Sequence, residues 1–219
     1  MFSFGRSFAM VRKVQKALVT DLGGVLLRTE DKIPRTRLAE RFGLTYAQLD
    51  DLVFNSQTGK LAEAGLLTDS EHHQYLIQRL NIQPSDLPAF FDQFFQGDRF
   101  DKDLLSFMGS YRKDTLLVLL SNAWRSAAAA LRQRYEIERY FDRLFFSAEV
   151  KLTKPDHRIY RLVEEEINIG APNIVYVDDN LENIEAAKEL GWHTIHFLNA
   201  DQTKQEILYA LGDPAADEE

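Results

Sequence analysis

The chain has 219 residues, 45% of them hydrophobic, with 34 acidic against 26 basic side chains, a net charge of −8 at pH 7 and no cysteine. A chain of this length and apolarity buries the core of one domain with an insertion or of two small ones, which excludes collagenous, disordered and disulfide-stapled architectures. The acidic balance argues against a nucleic-acid partner, and the missing cysteines rule out a thiol nucleophile and a thiolate zinc site while fitting a reducing, cytoplasmic setting.

Residues 1–15 are basic and partly aromatic but lack the continuous apolar run of a signal peptide, and read as a loose arm with Met10 as a second candidate start. No stretch has the apolar length of a membrane-spanning helix, so no membrane partner is expected. Apolar, β-branched or aromatic runs at 16–20, 115–120, 144–147, 173–177 and 194–198 predict strands. Most are continuous rather than alternating, as suits strands covered on both faces. Helical patterns at 123–135, 156–167 and 181–190 fall between the later strands, and this alternation predicts right-handed crossovers and a Rossmann-like parallel α/β sheet.

The segment 33–96 breaks the alternation, because its apolar residues recur at helical spacing with no strand run among them. Thr45-x-x-Gln48 and Thr68-x-x-Glu71 read as capping boxes, and Pro84 sits near the start of a further helix. The expected organisation is an α/β core of residues 16–32 and 97–212, an inserted helical cap of residues 33–96, and an acidic tail of residues 213–219. A helical block inserted after the first strand stands over the carboxyl edge of the sheet, where it acts as a lid.

An open parallel sheet carries its chemistry at that carboxyl edge. Asp21, Ser121-Asn122, Lys154-Pro155 and Asp178-Asp179 all fall at or just beyond the ends of predicted units. Taken singly, each has an ordinary role: a turn carboxylate, helix N-caps, or a solvated lysine before a helix opened by Pro155. Taken together, they are a set of parts for handling a phosphoryl group. Asp21 can attack phosphorus, Ser121 and backbone N–H groups at a helix start can hold phosphate oxygens, and Lys154 can offset negative charge. Adjacent carboxylates near a third repel unless a proton or a cation intervenes, which points to a hard ion such as Mg²⁺.

These residues resemble the haloacid dehalogenase-like superfamily, most of whose members are Mg²⁺-dependent phosphatases. The family's first motif, strand-Asp-x-Asp-Gly-[Val/Thr], is similar to Asp21-Leu22-Gly23-Gly24-Val25 except at its third position. Its second resembles Leu119-Leu120-Ser121-Asn122, its third Thr153-Lys154-Pro155, and its fourth Val177-Asp178-Asp179-Asn180. Glu63-Ala64-Gly65-Leu66-Leu67-Thr68 resembles the helix-turn signal of the family's small helical cap. The resemblance implies Asp21 as nucleophile and metal ligand, Ser121 and Asn122 at the phosphate, and Lys154 as the neutralising base. It implies Asp179 as a direct metal ligand, Asp178 acting directly or through water, and the Gly23 carbonyl as a further ligand.

Gly23 also removes the carboxylic acid that, in the family, protonates the leaving oxygen, a contribution of roughly 10² to 10⁴-fold for a general acid. Three consequences stand open. The leaving group needs little protonation, as in the glucose 1-phosphate phosphatases whose Asp-Leu-Gly start this chain resembles; or Glu30, Asp31, His72 or His73 supplies the acid; or turnover is lost. The two histidines otherwise read as solvated on a polar helix face. The leading expectation is a Mg²⁺-dependent phosphatase of a small phosphorylated metabolite such as a sugar phosphate, working through an aspartyl-phosphate. Its rivals are a non-catalytic phosphatase-like binding protein and a metal-independent dehalogenase, and the Asp178-Asp179 pair argues against the dehalogenase.

Overall fold

The computed structural model describes residues 15–212, so the arm before residue 15 and the acidic tail lie outside the described residues. The strands are β1 (Lys16–Thr20), β2 (Leu27–Thr29), β3 (Asp98–Phe100), β4 (Thr115–Ser121), β5 (Arg143–Phe146), β6 (Ile174–Asp178) and β7 (His193–His196). Five of them form one parallel sheet in the order β5-β4-β1-β6-β7. The predicted strands are therefore present, with ends displaced by a residue or two. β1 is central, and the chain runs outward from it first through β4 and β5 and then through β6 and β7. That makes the crevice beyond β1 the topological switch point of the sheet, where such folds bind ligands.

The segment predicted as helical holds α1 (Ile33–Arg41), α2 (Tyr46–Asp50), α3 (Gln57–Glu63), α4 (Asp69–Leu80) and α5 (Leu87–Phe94). Both capping boxes form: Thr45 accepts from the Gln48 N–H at 3.2 Å while Gln48 accepts from the Thr45 N–H at 2.9 Å, and Thr68 and Glu71 reciprocate in the same way. Pro84 opens a short 3₁₀ turn, with α5 following it. These helices enclose an apolar cluster of their own that includes Leu38, Leu49, Val53, Leu76, Phe90 and Phe94.

The remaining helices are α6 (Lys102–Gly109), α7 (Arg125–Tyr135), α8 (Ser147–Val150), α9 (His157–Ile167), α10 (Leu181–Glu189) and α11 (Ala200–Leu211). Alternate strand residues feed two cores, one on each sheet face. Leu18, Leu119 and Val177 pack with Leu104, Leu131 and Ile207, while Val19, Leu120 and Tyr176 pack with Ile159, Val163 and Ile184. Both faces are thus covered, which is why the strand runs are continuously apolar.

Three features depart from expectation. Ser147 opens α8 instead of ending β5. Pro155 does not begin α9, because Asp156 caps that helix by accepting from the Arg158 N–H at 2.9 Å. The antiparallel pair β2 and β3 joins the sheet to the helical block and has no apolar signature in the sequence, since it is three residues long on each side and largely polar. Among the described residues no helix is long and apolar enough to cross a membrane.

Candidate active site

Asp21 follows β1 directly. Its N–H donates to the Val177 carbonyl at 2.8 Å, so the β1–β6 ladder carries it to the sheet edge, and its Oδ1 accepts from the Leu22 N–H at 2.6 Å. The turn after it closes when the Leu26 and Leu27 N–H groups donate to the Leu22 carbonyl at 2.9 and 2.7 Å. Gly24 takes φ +75° in that turn and lies against the Asp179 carboxylate, so that a Cβ there would stand 2.1 Å from Oδ2. A Cβ on Gly23, by contrast, would meet nothing within 4 Å.

Lys154 is buried rather than solvated, with Nζ 2.9 Å from Asp21 Oδ2 and 2.7 Å from Asp178 Oδ2. Asn122 holds the Lys154 backbone at two points: Oδ1 accepts from its N–H at 2.9 Å and Nδ2 donates to its carbonyl at 3.0 Å. The Asn122 side chain therefore positions Lys154, and its amide also hydrogen-bonds Glu63. The Lys154-Pro155 peptide bond is cis. Asp178, fully buried, also accepts from the Tyr176 hydroxyl, from Asn183 Nδ2 at 3.0 Å and from the Asn180 N–H at 2.8 Å.

Burial pushes the Asp21 carboxyl up to about 7, with Lys154 opposing and Asp178 adding to the rise. Burial raises Asp179 as well, followed by the charge on Asp178. For Lys154, burial works against the ammonium, but Asp21 and Asp178 more than offset it and hold the amine above its ordinary value. One lysine thus stabilises a three-carboxylate cluster incompletely, and the site is short of positive charge. Oxygens of Asp21, Asp178 and Asp179 lie within 4.8 Å of one another. This all-oxygen, charge-deficient donor set fits a hard divalent cation such as Mg²⁺. With Asp178 saturated by Lys154, Tyr176, Asn180 and Asn183, Asp21 and Asp179 are the carboxylates with capacity left for it.

A cleft of about 450 Å³ opens between the sheet edge and the helical block, lined by Gly23, Ser121 and Asn122 below and by Arg35, Phe54, Glu63 and Phe95 above. None of Glu30, Asp31, His72 and His73 lines it. Glu30 faces Arg28 at 3.4 Å, and Asp31 Oδ1 accepts from the Ile33 N–H at 2.9 Å. His72 is fully buried, which corrects its reading as solvated. Its Nε2 lies 3.0 Å from the Val53 carbonyl and its Nδ1 2.9 Å from Thr58 Oγ1, so Nε2 carries a proton to donate to that carbonyl, and burial disfavours a second one on Nδ1. His73 lies over Phe91 in a separate hollow, with ring centroids 5.2 Å apart.

The carboxyl that does line the cleft, apart from Asp50 and Asp98, is Glu63 at the end of α3. Asp50 and Asp98 are held by Arg35 at 2.6 and 3.1 Å. Glu63 is half-buried; burial raises its pKa against the opposing charge of Lys154 and a hydrogen bond from Asn122. Its carbonyl accepts from Ser147 Oγ at 2.7 Å, which pins the end of α3 to the core. The Glu63-Ala64-Gly65 turn was visible in the sequence as a helix-turn signal; its direction into the cleft was not.

A parallel sheet with an aspartate, lysine and aspartate cluster at its switch point, roofed by a helical block, defines a Rossmann-like α/β protein whose candidate site centres on an aspartate. The chain belongs to the haloacid dehalogenase-like hydrolases, whose family model matches residues 15–191. It is 27% identical over 204 residues to a drimenol cyclase from Aspergillus calidoustus, spanning 91% of this chain but only 37% of that protein. It is 28% identical to a sesquiterpene phosphatase from Aspergillus oryzae, covering 90% of this chain and 97% of the relative. A phosphorylated carbohydrates phosphatase from Thermotoga maritima is 29% identical, with 84% and 87% covered. Among solved structures, a HAD family enzyme from Bacteroides thetaiotaomicron in complex with magnesium and inorganic phosphate shares the fold, with TM-score 0.70, 22% identity, and 83% of this chain and 93% of that one covered.

Proposed function

We propose that the chain is a Mg²⁺-dependent phosphomonoester hydrolase that turns over through an aspartyl-phosphate on Asp21. The observation that carries this reading is the buried Lys154 ammonium bridging Asp21 and Asp178, with Asp179 alongside and Ser121 at the mouth. It is supported by the phosphatases among the relatives and by the magnesium and phosphate in a neighbour of the same fold. Asp21, Asp179 and the Gly23 carbonyl would hold the ion, which when bound supplies charge to the phosphoryl oxygens.

The chemistry of the chain's own residues follows. The Asp21 carboxylate attacks phosphorus, the bond from phosphorus to the leaving oxygen breaks, and Lys154 with Ser121 offsets the charge on the phosphoryl oxygens. The leaving oxygen needs a proton that Gly23 cannot give. Glu63, the cleft carboxyl without an arginine partner and with a raised pKa, is the group we assign to that proton. Its carboxylate then takes a proton from the water that attacks the aspartyl-phosphate, and the bond between phosphorus and Asp21 breaks to regenerate the enzyme. We read residues 33–96 as a cap that carries this acid over the core.

The experiment is phosphate release from p-nitrophenyl phosphate with Mg²⁺, by wild type and Asp21→Asn, with acid trapping of a phosphoenzyme. Release that depends on Asp21 and on Mg²⁺ supports the proposal. Equal silence of both proteins would return the chain to the non-catalytic binding alternative.

A further inference from the structure

The cleft above Asp21 is more apolar than phosphate chemistry requires. Away from Ser121 and Asn122 its walls include Leu22, Leu27, Phe54, Phe95, Trp124 and Leu131. The polar groups among them are largely committed elsewhere. Arg35 bonds Asp50 at 2.6 Å, Asp98 at 3.1 Å and the Phe94 carbonyl at 3.0 Å, and Thr29 Oγ1 donates to Asp98 at 2.6 Å. Arg28 bonds Asp101 at 2.8 Å, and the Trp124 indole N–H donates to the Gly59 carbonyl at 3.1 Å.

A sugar or polyol leaving group brings several hydroxyls, each of which gives up water on entry. A site that recognises such a group keeps free donors and acceptors for it, and each hydroxyl left unpaired weakens binding by roughly tenfold. Here the cleft offers mainly aromatic and aliphatic surface, and beside Glu63 and exposed Arg134 its remaining polar features are the single hydroxyls of Tyr46, which accepts from Arg35 at 3.1 Å, and Tyr135. Its volume of about 450 Å³ lies in the range that encloses a ligand of drug size, more than one sugar ring fills.

We infer that the substrate is a phosphomonoester of an extended hydrocarbon alcohol, aliphatic or terpenoid, with its phosphate at Asp21 and its chain along Leu27, Phe54, Phe95 and Trp124. This rests on the phosphatase reading of the same site. The relatives include both carbohydrate and sesquiterpene phosphatases, and the lining of this chain's cleft decides for the second kind.

The test has two arms. In the first, wild-type protein with Mg²⁺ is titrated calorimetrically with butyl, hexyl and octyl phosphonates below their micellar concentrations, and with a polyhydroxylated phosphonate of matching length. These ligands are not hydrolysed, so the result does not depend on turnover. Affinity rising about fourfold per added methylene until the cleft fills supports the inference; equal or tighter binding of the polyol analogue overturns it. In the second arm, kcat/KM is compared for octyl and farnesyl phosphate against glucose 1-phosphate and ribitol 5-phosphate, with p-nitrophenyl phosphate as the activity control. A preference for the hydrocarbon esters supports the inference, and a preference for the polyols overturns it. Failure on every ester, the control included, sinks the phosphatase reading, while the calorimetric arm still decides what the cleft binds. Ala127→Phe, which narrows the lining, is expected to flatten the chain-length dependence, and an undiminished slope in that variant counts against the seat described.

Discussion

Gly24 and Asp179 meet so closely that the carboxylate occupies the space of a side chain: a Cβ on Gly24 would lie 2.1 Å from Asp179 Oδ2, and the backbone there has φ +75°. The turn after β1 and the turn after β6 are thereby locked together. Gly24→Ala is expected to destabilise the fold by about 1–3 kcal/mol through backbone strain and to weaken Mg²⁺ binding by displacing Asp179. Gly23→Ala, whose Cβ enters open space, is expected to change stability by no more than about 0.5 kcal/mol. Denaturant unfolding with parallel Mg²⁺ titration checks both, and equal effects at the two glycines would contradict the contact.

Lys154 neutralises two buried carboxylates at 2.9 and 2.7 Å. Lys154→Met leaves both uncompensated, and unfolding free energy is expected to fall by about 3–5 kcal/mol without metal. Added Mg²⁺ should recover part of the loss by supplying the missing charge. A variant as stable as wild type without metal would mean that Asp21 or Asp178 is protonated there instead.

Glu63→Gln tests the assigned proton donor. Turnover of alkyl phosphates is expected to drop by about 10² or more, with much less effect on p-nitrophenyl phosphate, whose leaving group departs unprotonated. Burial raises the Glu63 pKa against Lys154, the Asn122 hydrogen bond and Lys60. The acid form thus persists to higher pH than for an ordinary glutamate, and kcat for alkyl esters falls as pH rises through the raised value. That descending limb should vanish in the variant. Gly23→Asp, placed in open space, is expected to restore alkyl ester turnover in the Glu63→Gln background; equal loss on both ester classes would remove Glu63 from this role.

His72 is expected to make the helical block sensitive to acid. Burial lowers its pKa, with the Val53 carbonyl opposing and His73 adding to the drop. Because the folded value lies below the unfolded one, its contribution is present above the unfolded value of about 6.5 and is lost as pH falls toward the folded value. Stability should therefore decline below about pH 6.5 with a slope of at most about 1.4 kcal/mol per pH unit from this group. Denaturant midpoints between pH 5 and 7 check this, and His72→Gln should flatten the decline. An unchanged slope would transfer the effect to His73, whose pKa burial also lowers.

The parallel sheet, both capping boxes and the inserted helices were legible from local patterns, because continuous apolar runs and reciprocal Thr/Gln or Thr/Glu pairs act over a few residues. The ribbon of β2 and β3 was not, because two short polar segments far apart in the chain gain their structure only from each other. Helices α6 and α11 were likewise missed, although Asp101 and Asn199 cap them by accepting from the Leu104 and Gln202 N–H groups at 2.8 and 2.9 Å. The histidines were misjudged for a related reason. His72 sits in a polar-looking stretch of α4, but Val53 from the turn before α3 and Thr58 from the first turn of α3 fold against its ring.

By itself, the sequence carried the family, the order of the strands along the chain, and Asp21, Ser121, Lys154, Asp178 and Asp179 as candidates for the site, since each stands at the end of a locally encoded unit. Only the tertiary structure decided how those side chains are shared. It sets Lys154 between two carboxylates, spends Asn122 on the lysine's backbone, saturates Asp178 and leaves Asp21 and Asp179 with capacity for an ion. It also decided what surrounds the gap at Gly23: an open space beside an apolar cleft, with Glu63 brought in from the helical block. Strand ends are set by neighbours in sequence, whereas burial, charge balance and the lining of a cleft are set by segments that meet only when the chain has folded.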